Sequence, residues 1–424
     1  MSDVRIAVTR VVASFDNATQ DITISGFGTP KAAFFVLVAA TADGTPLANA
    51  QMGYGATDGT RQWAAAWFSE DAAARTNNAR RGMTDMCACA IAGGGGVVAE
   101  AAFNAWITDG VRITWGAFPA TNYFLHVILF GGADLSVRAD VVNLGTVTTT
   151  QTYSSMGFEA DLLICASPQR DMNDASDGSA SGNCIGFVHN NGAGTVTQRC
   201  QATGEIDNQA DGAPVARMFE DMFAAEVNQL GTVAWEASMS NFGTAGFDFI
   251  QNVNSASDRF GFLALDLPSD VGSWVGTHNS PTGTGDNSST APGFTPQFVM
   301  LGLNACAAVD TAETDADAGV WGVSMFDDTR SYCGSTAIED AAATTNTASE
   351  ADDQAIRLMD HAQNDDWVGT FSSFNADGWT LNFSVADGTA RKWIGFAIEE
   401  AVGAAAFAKL PFQHNRAIHR ASRW

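Results

Sequence analysis

Short apolar runs alternate with polar, glycine-rich breaks along most of the chain, and the spacing is that of strands. FFVLVAA from Phe34, LLICAS from Leu162 and FVMLGLNA from Phe298 are apolar runs bounded by turn residues. DGWTLNF at Asp377 and RKWIGFAI at Arg391 alternate apolar with small or polar residues, and ADGTA between them is turn chemistry. Such alternation predicts antiparallel hairpins with one face buried and one wet. Helical spacing is confined to RTNNARRGM near Arg75, PVARMFEDMFAAEV near Pro214 and EADDQAIRLMD near Glu350, each expected to give a few turns.

The pattern repeats. Gly26-Phe27, Gly157-Phe158 and Gly293-Phe294 each open an apolar run, 131 and 136 positions apart. A strand with a central glycine follows each, at Gly53, Gly186 and Gly322, and an Asp-x-Thr-Arg turn follows two of these, at Asp58 and Asp327. A hairpin closes each copy, with an aromatic four residues before a glycine: Trp106 and Gly110, Phe242 and Gly246, Phe374 and Gly378. The last strands begin at Phe124, Phe260 and Trp393. Three landmarks holding one period predict an all-β chain of three tandem β-sandwich or jelly-roll-like modules with few short helices. The expected boundaries are 1–146, 147–277 and 278–402, followed by a tail at 403–424. The join near residue 147 is short and reads as rigid. The Gly/Ser/Thr-rich stretch between Gly276 and Gly293 reads as a flexible linker that leaves the third module free to reorient and is cut first by proteases.

Charge changes the picture of partners. The chain has 47 acids against 21 bases, a formal charge of −26, and its lysines are Lys31, Lys392 and Lys409. So acidic a surface repels phosphate backbones, which argues against nucleic-acid binding. The tail inverts the sign: Lys409, Arg416, Arg420 and Arg423 stand there without an acid, among Phe407, Phe412 and Trp424. Arg and aromatic residues are the usual anchors of protein contacts, so these seven residues are the expected partner-docking set. No run of eighteen apolar residues and no secretory leader pattern is evident, so no membrane insertion and a cytoplasmic site of assembly are expected. The seven cysteines are expected reduced and buried.

The sequence has no Walker loop, no H-E-x-x-H and no G-x-S-x-G nucleophile elbow. GGGGVV at Gly93–Val98 lacks the flanking elements of a dinucleotide loop, and Cys87 and Cys89 are too closely spaced for a zinc clip. His126, in FLHVILF, reads as a satisfied or edge-facing strand residue. Two acidic loops, with Asp171, Asp174 and Asp177 and with Asp310, Glu313, Asp315 and Asp317, read as solvated loops, with calcium binding as the alternative. Glu399 with Glu400 and Asp365 with Asp366 are adjacent pairs, and neighbouring strand residues point to opposite faces, so Glu399 and Glu400 do not converge on one bond. No catalytic residue, metal or cofactor is expected.

The opening G-F-x-P and the closing aromatic-x-x-D-G-[FW]-T-L hairpin resemble the repeated β-sandwich domains of tailed-bacteriophage and prophage structural proteins, often of tails or fibres. The third copy carries this through Gly293, Phe294, Pro296, Phe374, Asp377, Gly378, Trp379, Thr380, Leu381 and Trp393. The resemblance implies a non-enzymatic virion protein displayed outside the particle, assembled in the host cytoplasm with other virion proteins and with itself, and able to meet a host-surface glycan or receptor. A head-decoration or head-fibre protein and a carbohydrate-binding or glycoside-active protein are the alternatives, and a bacterial surface-layer protein a third.

Overall fold

In the computed structural model of the chain, the residues described are 2–13, 18–117, 122–145, 148–173, 176–192, 194–210, 213–228, 230–253, 258–339 and 344–399. They form 33 strands, eleven in each third of the chain.

Copy 1 comprises β1 (Arg5–Val12), β2 (Thr19–Thr23), β3 (Pro30–Val38), β4 (Leu47–Ala48), β5 (Ala50–Thr57), β6 (Gln62–Ser69), β7 (Asn78–Met83), β8 (Ala88–Ile91), β9 (Val97–Ile107), β10 (Gly110–Ala117) and β11 (Phe124–Gly131). Copy 2 comprises β12 (Ser136–Asn143), β13 (Thr150–Tyr153), β14 (Leu162–Arg170), β15 (Ser176–Asp177), β16 (Ala180–Gly192), β17 (Thr195–Ile206), β18 (Val215–Phe219), β19 (Ala224–Val227), β20 (Val233–Gly243), β21 (Gly246–Val253) and β22 (Arg259–Asp266). Copy 3 comprises β23 (Ser273–Asn279), β24 (Gly285–Ser289), β25 (Pro296–Asn304), β26 (Ala312–Glu313), β27 (Trp321–Asp327), β28 (Ser331–Ile338), β29 (Thr347–Asp352), β30 (Ile356–Met359), β31 (Asp365–Asn375), β32 (Gly378–Val385) and β33 (Lys392–Glu399).

Each copy is a sandwich of two antiparallel sheets. In copy 1 the larger runs β1-β11-β3-β5-β6-β7 and the smaller β2-β10-β9-β8, and the other copies repeat both orders strand for strand. The unbroken apolar runs are explained by what covers them. Along β3, Ala33, Phe35 and Leu37 enter the core between the two sheets, while Phe34, Val36 and Val38 enter a second core shared by all three copies. Leu163 and Cys165 against Leu162 and Ile164, and Val299 and Leu301 against Phe298 and Met300, divide in the same way. A strand covered on both faces reads as a near-continuous apolar run. This corrects the expected wet face of RKWIGFAI: Trp393 and Ala397 lie in the outer core of copy 3, and Ile394, Phe396 and Ile398 in the shared one.

The landmarks take matching places. Gly26, Gly157 and Gly293 all have positive φ, at 81, 85 and 75°, a turn conformation that side chains resist. Each of these turns is tied to the tip of its copy's closing hairpin, through Ile24 N to Asp109 O, Gly157 N to Ala245 O and Gly293 N to Asp377 O. A Cβ built on Gly110, Gly246 or Gly378 would stand 1.9, 1.6 or 1.9 Å from the carbonyl oxygen of Ile22, Tyr153 or Ser289. Glycine is therefore required where these strands pass.

Three expectations need correction. The strands β12 and β23 pair with β22 and β33, so copies 2 and 3 begin by Ser136 and Ser273, ahead of the expected 147 and 278. The supposed flexible linker contains β24, which pairs with β32 from Gly285 to Ser289, because Ser, Thr and Asn suit a polar edge strand as well as they suit a linker. The three helical stretches are strands β7, β18 with β19, and β29 with β30. Two period-two segments joined by a reversal imitate helical spacing, as Met218 and Phe219 with Phe223 do. Among the described residues the one helical segment is a 3-10 turn at Gly93–Gly95. None of their helices is long and apolar enough to cross a membrane.

Candidate functional site: the seams between copies

The segment between the first and second landmarks, read above as an acidic loop in copies 2 and 3, crosses to the neighbouring copy in all three. There β15 of copy 2 extends the sheet of copy 1 by pairing with β7, β26 of copy 3 pairs with β18 of copy 2, and β4 of copy 1 pairs with β29 of copy 3. Each copy thus covers the edge of the one before it and the ring closes. A short strand laid on an edge satisfies backbone groups that would otherwise face solvent.

The Asp-x-Thr-Arg turns work in the opposite direction. Asp58 Oδ1 accepts from the amides of Thr60 and Arg61, both at 2.7 Å, and its Oδ2 accepts from Ala139 N of copy 2 at 3.1 Å. Asp327 repeats this with Thr329 (2.8 Å) and Arg330 (2.7 Å), and its Oδ2 accepts from Val8 N of copy 1 at 2.9 Å. Burial raises the Asp327 carboxyl, against the pull of these hydrogen bonds. One carboxylate therefore shapes its own turn and anchors the next copy's first strand.

Inside the ring the packing is aromatic. Trp63 Nε1 donates to Phe262 O of copy 2 at 2.9 Å, with its ring against Gly261. Trp321 Nε1 of copy 3 donates to the Tyr54 hydroxyl of copy 1 at 2.6 Å. Phe187 and Phe396 meet edge to face at 5.0 Å across the seam of copies 2 and 3, where Asn304 Nδ2 also donates to Gln201 Oε1 at 2.8 Å. These contacts were not foreseen, although the recurrence of Asp-x-Thr-Arg in copies 1 and 3 was a sequence signal for the anchoring turn.

The acids find cations from the chain itself. Asp177 and Glu226 flank Arg80 of copy 1 at 3.2 and 2.8 Å, and Asp171 pairs with Arg259 at 2.8 Å. Glu313, Asp315 and Asp317 lie 3.6, 3.5 and 3.7 Å from the guanidinium of Arg391, whose side chain is 7% exposed. Asp317 also meets His361 Nδ1 at 2.7 Å. Burial opposes a charge on that ring, but Asp317 and its acidic neighbours prevail and raise its pKa. Asp310 N donates to Met218 O of copy 2 at 2.7 Å. The acidic loops are thus seam elements, and among the described residues no group of three or more His, Cys, Asp or Glu is arranged to hold a metal ion. Asp174 lies outside the described residues.

The remaining candidates scatter. Glu399 accepts from Gly272 N at 2.7 Å, while Asp365 pairs with Arg357 at 2.8 Å. Burial and nearby Asp387, Asp317 and Asp360 push Asp366 up to about 7. All seven cysteines are free and buried, and burial pushes Cys89 up to about 12, which leaves it an inert thiol. His126 is not an edge residue: β11 is flanked by β1 and β3, the ring is fully buried, and neither nitrogen has a hydrogen-bond partner. The docking set Phe407, Lys409, Phe412, Arg416, Arg420, Arg423 and Trp424, with Glu400, lies outside the described residues. In comparisons with known proteins, no family model and no curated protein matches this chain.

Proposed function

We propose that the protein is a non-enzymatic structural component of a tailed-bacteriophage virion, displayed on the exterior at the tail, baseplate or fibre. The observation that supports this reading is the closed ring, in which a short strand from each copy covers the sheet edge of the copy before it. Three sandwiches joined edge to edge around one shared core suit a particle component. The basic, aromatic tail from Phe407 to Trp424 is the docking element in this reading, and exposed loops at the ends of the sandwiches would meet a host glycan or receptor.

Antibodies raised against the purified protein should decorate the outside of phage particles in negative-stain micrographs, at the tail. Decoration of the head would favour a capsid decoration protein instead. Unlabelled particles, or label confined to the host cell surface, would reject the proposal. A chain lacking residues 405–424 should fold, stay soluble and fail to enter particles.

A further inference from the structure

The three seams share one geometry, but the chain crosses only two of them. Residues 132–135 bridge copies 1 and 2 and residues 267–272 bridge copies 2 and 3, whereas the seam of copies 3 and 1 is closed by non-covalent contacts alone. One position also differs in chemistry. Strand register makes Trp63, Arg199 and Tyr332 counterparts, as it does Gly261, Ile394 and His126. At the first seam an indole lies on a glycine; at the open-chain seam the Tyr332 ring lies 5.7 Å from the ring of His126.

Arg10 ties this spot to the rest of the seam. It stands opposite His126 on β1, its guanidinium lies 4.2 Å from the Phe124 ring centre and 5.2 Å from that of Tyr332, and it pairs with Asp43 just ahead of β4. The groups facing His126 are therefore Arg10 from β1, Val36 from β3, and Tyr332 from copy 3, with Arg330, Asp327 and Asp353 near Tyr332. No carboxylate bonds the imidazole.

We propose that the seam between copies 3 and 1 is a pH-sensitive latch with His126 as its trigger: a proton on the buried ring favours separation of the two copies, which frees the edges of β29 and β4. A buried imidazolium without an acceptor, next to a guanidinium, is costly, and water relieves that cost only when the seam opens. Burial first and Arg10 second hold the ring's pKa well below its ordinary value in the closed seam. The open form takes up the proton at the ordinary value of about 6.5, so opening grows about tenfold per pH unit below that, until the closed-form pKa is reached. Asp327 and Glu350 titrate the other way. Burial raises both, Glu350 to about 7, so falling pH favours their closed forms. The contribution of His126 must therefore be read as a difference between variants.

Amide hydrogen exchange on the full chain, corrected for intrinsic rates, reads it. The probes are Val8 N and Gln51 N at the latch and Ala139 N at the bridged seam. The ratio of opening constants, native over His126→Phe, should rise about 16-fold between pH 6.5 and 5 at the latch and stay level at Ala139. A ratio flat with pH, or equal changes at both seams, overturns the proposal. His126→Gln takes the same measurement if the Phe variant does not fold. Ring titration by NMR is a separate check on the native chain: a His126 that gains its proton while Val8 N stays protected also overturns the latch.

Discussion

The central core and the outer cores are built from the same strands, yet they differ in ownership. Each outer core belongs to one copy: Trp235, Phe249 and Phe260 in copy 2, for example, or Trp367, Trp379 and Trp393 in copy 3. The central core mixes Phe34, Trp63 and Trp67 with Ile164 and Phe187 and with Phe298, Trp321 and Phe396. A sandwich with an outer core alone would leave the other face of its larger sheet, an apolar surface, in water. The copies therefore resemble the subunits of an obligate trimer, joined end to end, more than beads on a string.

The sharpest way to break this comparison is to remove a copy. A chain ending at residue 272 loses Phe298, Met300, Trp321 and Phe396 from the central core and keeps two outer cores whole. It should show no cooperative thermal transition. A cooperative melt would mean that the outer cores suffice.

Single truncations sharpen the contrast. Trp63→Ala and Trp235→Ala each remove a fully buried indole, at a cost of about 3–5 kcal/mol in denaturant unfolding. Trp63→Ala should cost about 1 kcal/mol more, because it also strips Phe262 O of its donor. Exchange protection should then fall in copies 1 and 2 together for Trp63→Ala and in copy 2 alone for Trp235→Ala.

The outer cores also differ among themselves. Strand register makes Val11, Val142 and His278 counterparts, facing Leu125, Phe260 and Trp393. Burial lowers His278 to about 4. Its unfolded form binds a proton at about 6.5, so the native state loses stability as pH falls from there to 4, by about 3 kcal/mol in all. His278→Val should remove that loss, so that the variant gains about 3 kcal/mol on the native chain between pH 7 and pH 4. Denaturant midpoints at the two pH values check this, and an unchanged pH dependence would count against a buried neutral ring.

The smallest effect concerns the second landmark. A Cβ on Gly186 would meet Phe223 O at 1.9 Å, a backbone atom that cannot yield, whereas on Gly322 it would meet Leu358 Cδ1 at 3.0 Å. Gly186→Ala should cost about 1–3 kcal/mol and Gly322→Ala less than about 1. Equal melting temperatures for the two variants would show that the copies do not differ here.

Much of this was legible from local pattern. The turn at Gly26 and its counterparts, the closing hairpins and the period could be read because glycine at positive φ and period-two alternation are properties of a few consecutive residues. The helical reading near Pro214 failed because two strands of different sheets meet there at a reversal, and the linker reading near Gly285 failed because polar edge strands and linkers share a composition. The candidate site was almost wholly hidden: nothing local marks Ala312-Glu313 or Leu47-Ala48 as strands, since what makes them strands is an edge elsewhere.

By itself, then, the sequence determined that the chain is all-β, that it repeats three times, and where its turns fall, because those choices are settled within a hairpin. The tertiary structure alone decided that the repeats close into a ring. The bond that closes it runs from Val8 to Asp327, 319 positions away, and the unbroken run FFVLV is equally at home in any strand covered on both faces. Only the folded chain brings a second apolar face within reach of the first, and burying both at once is what converts three copies into one core.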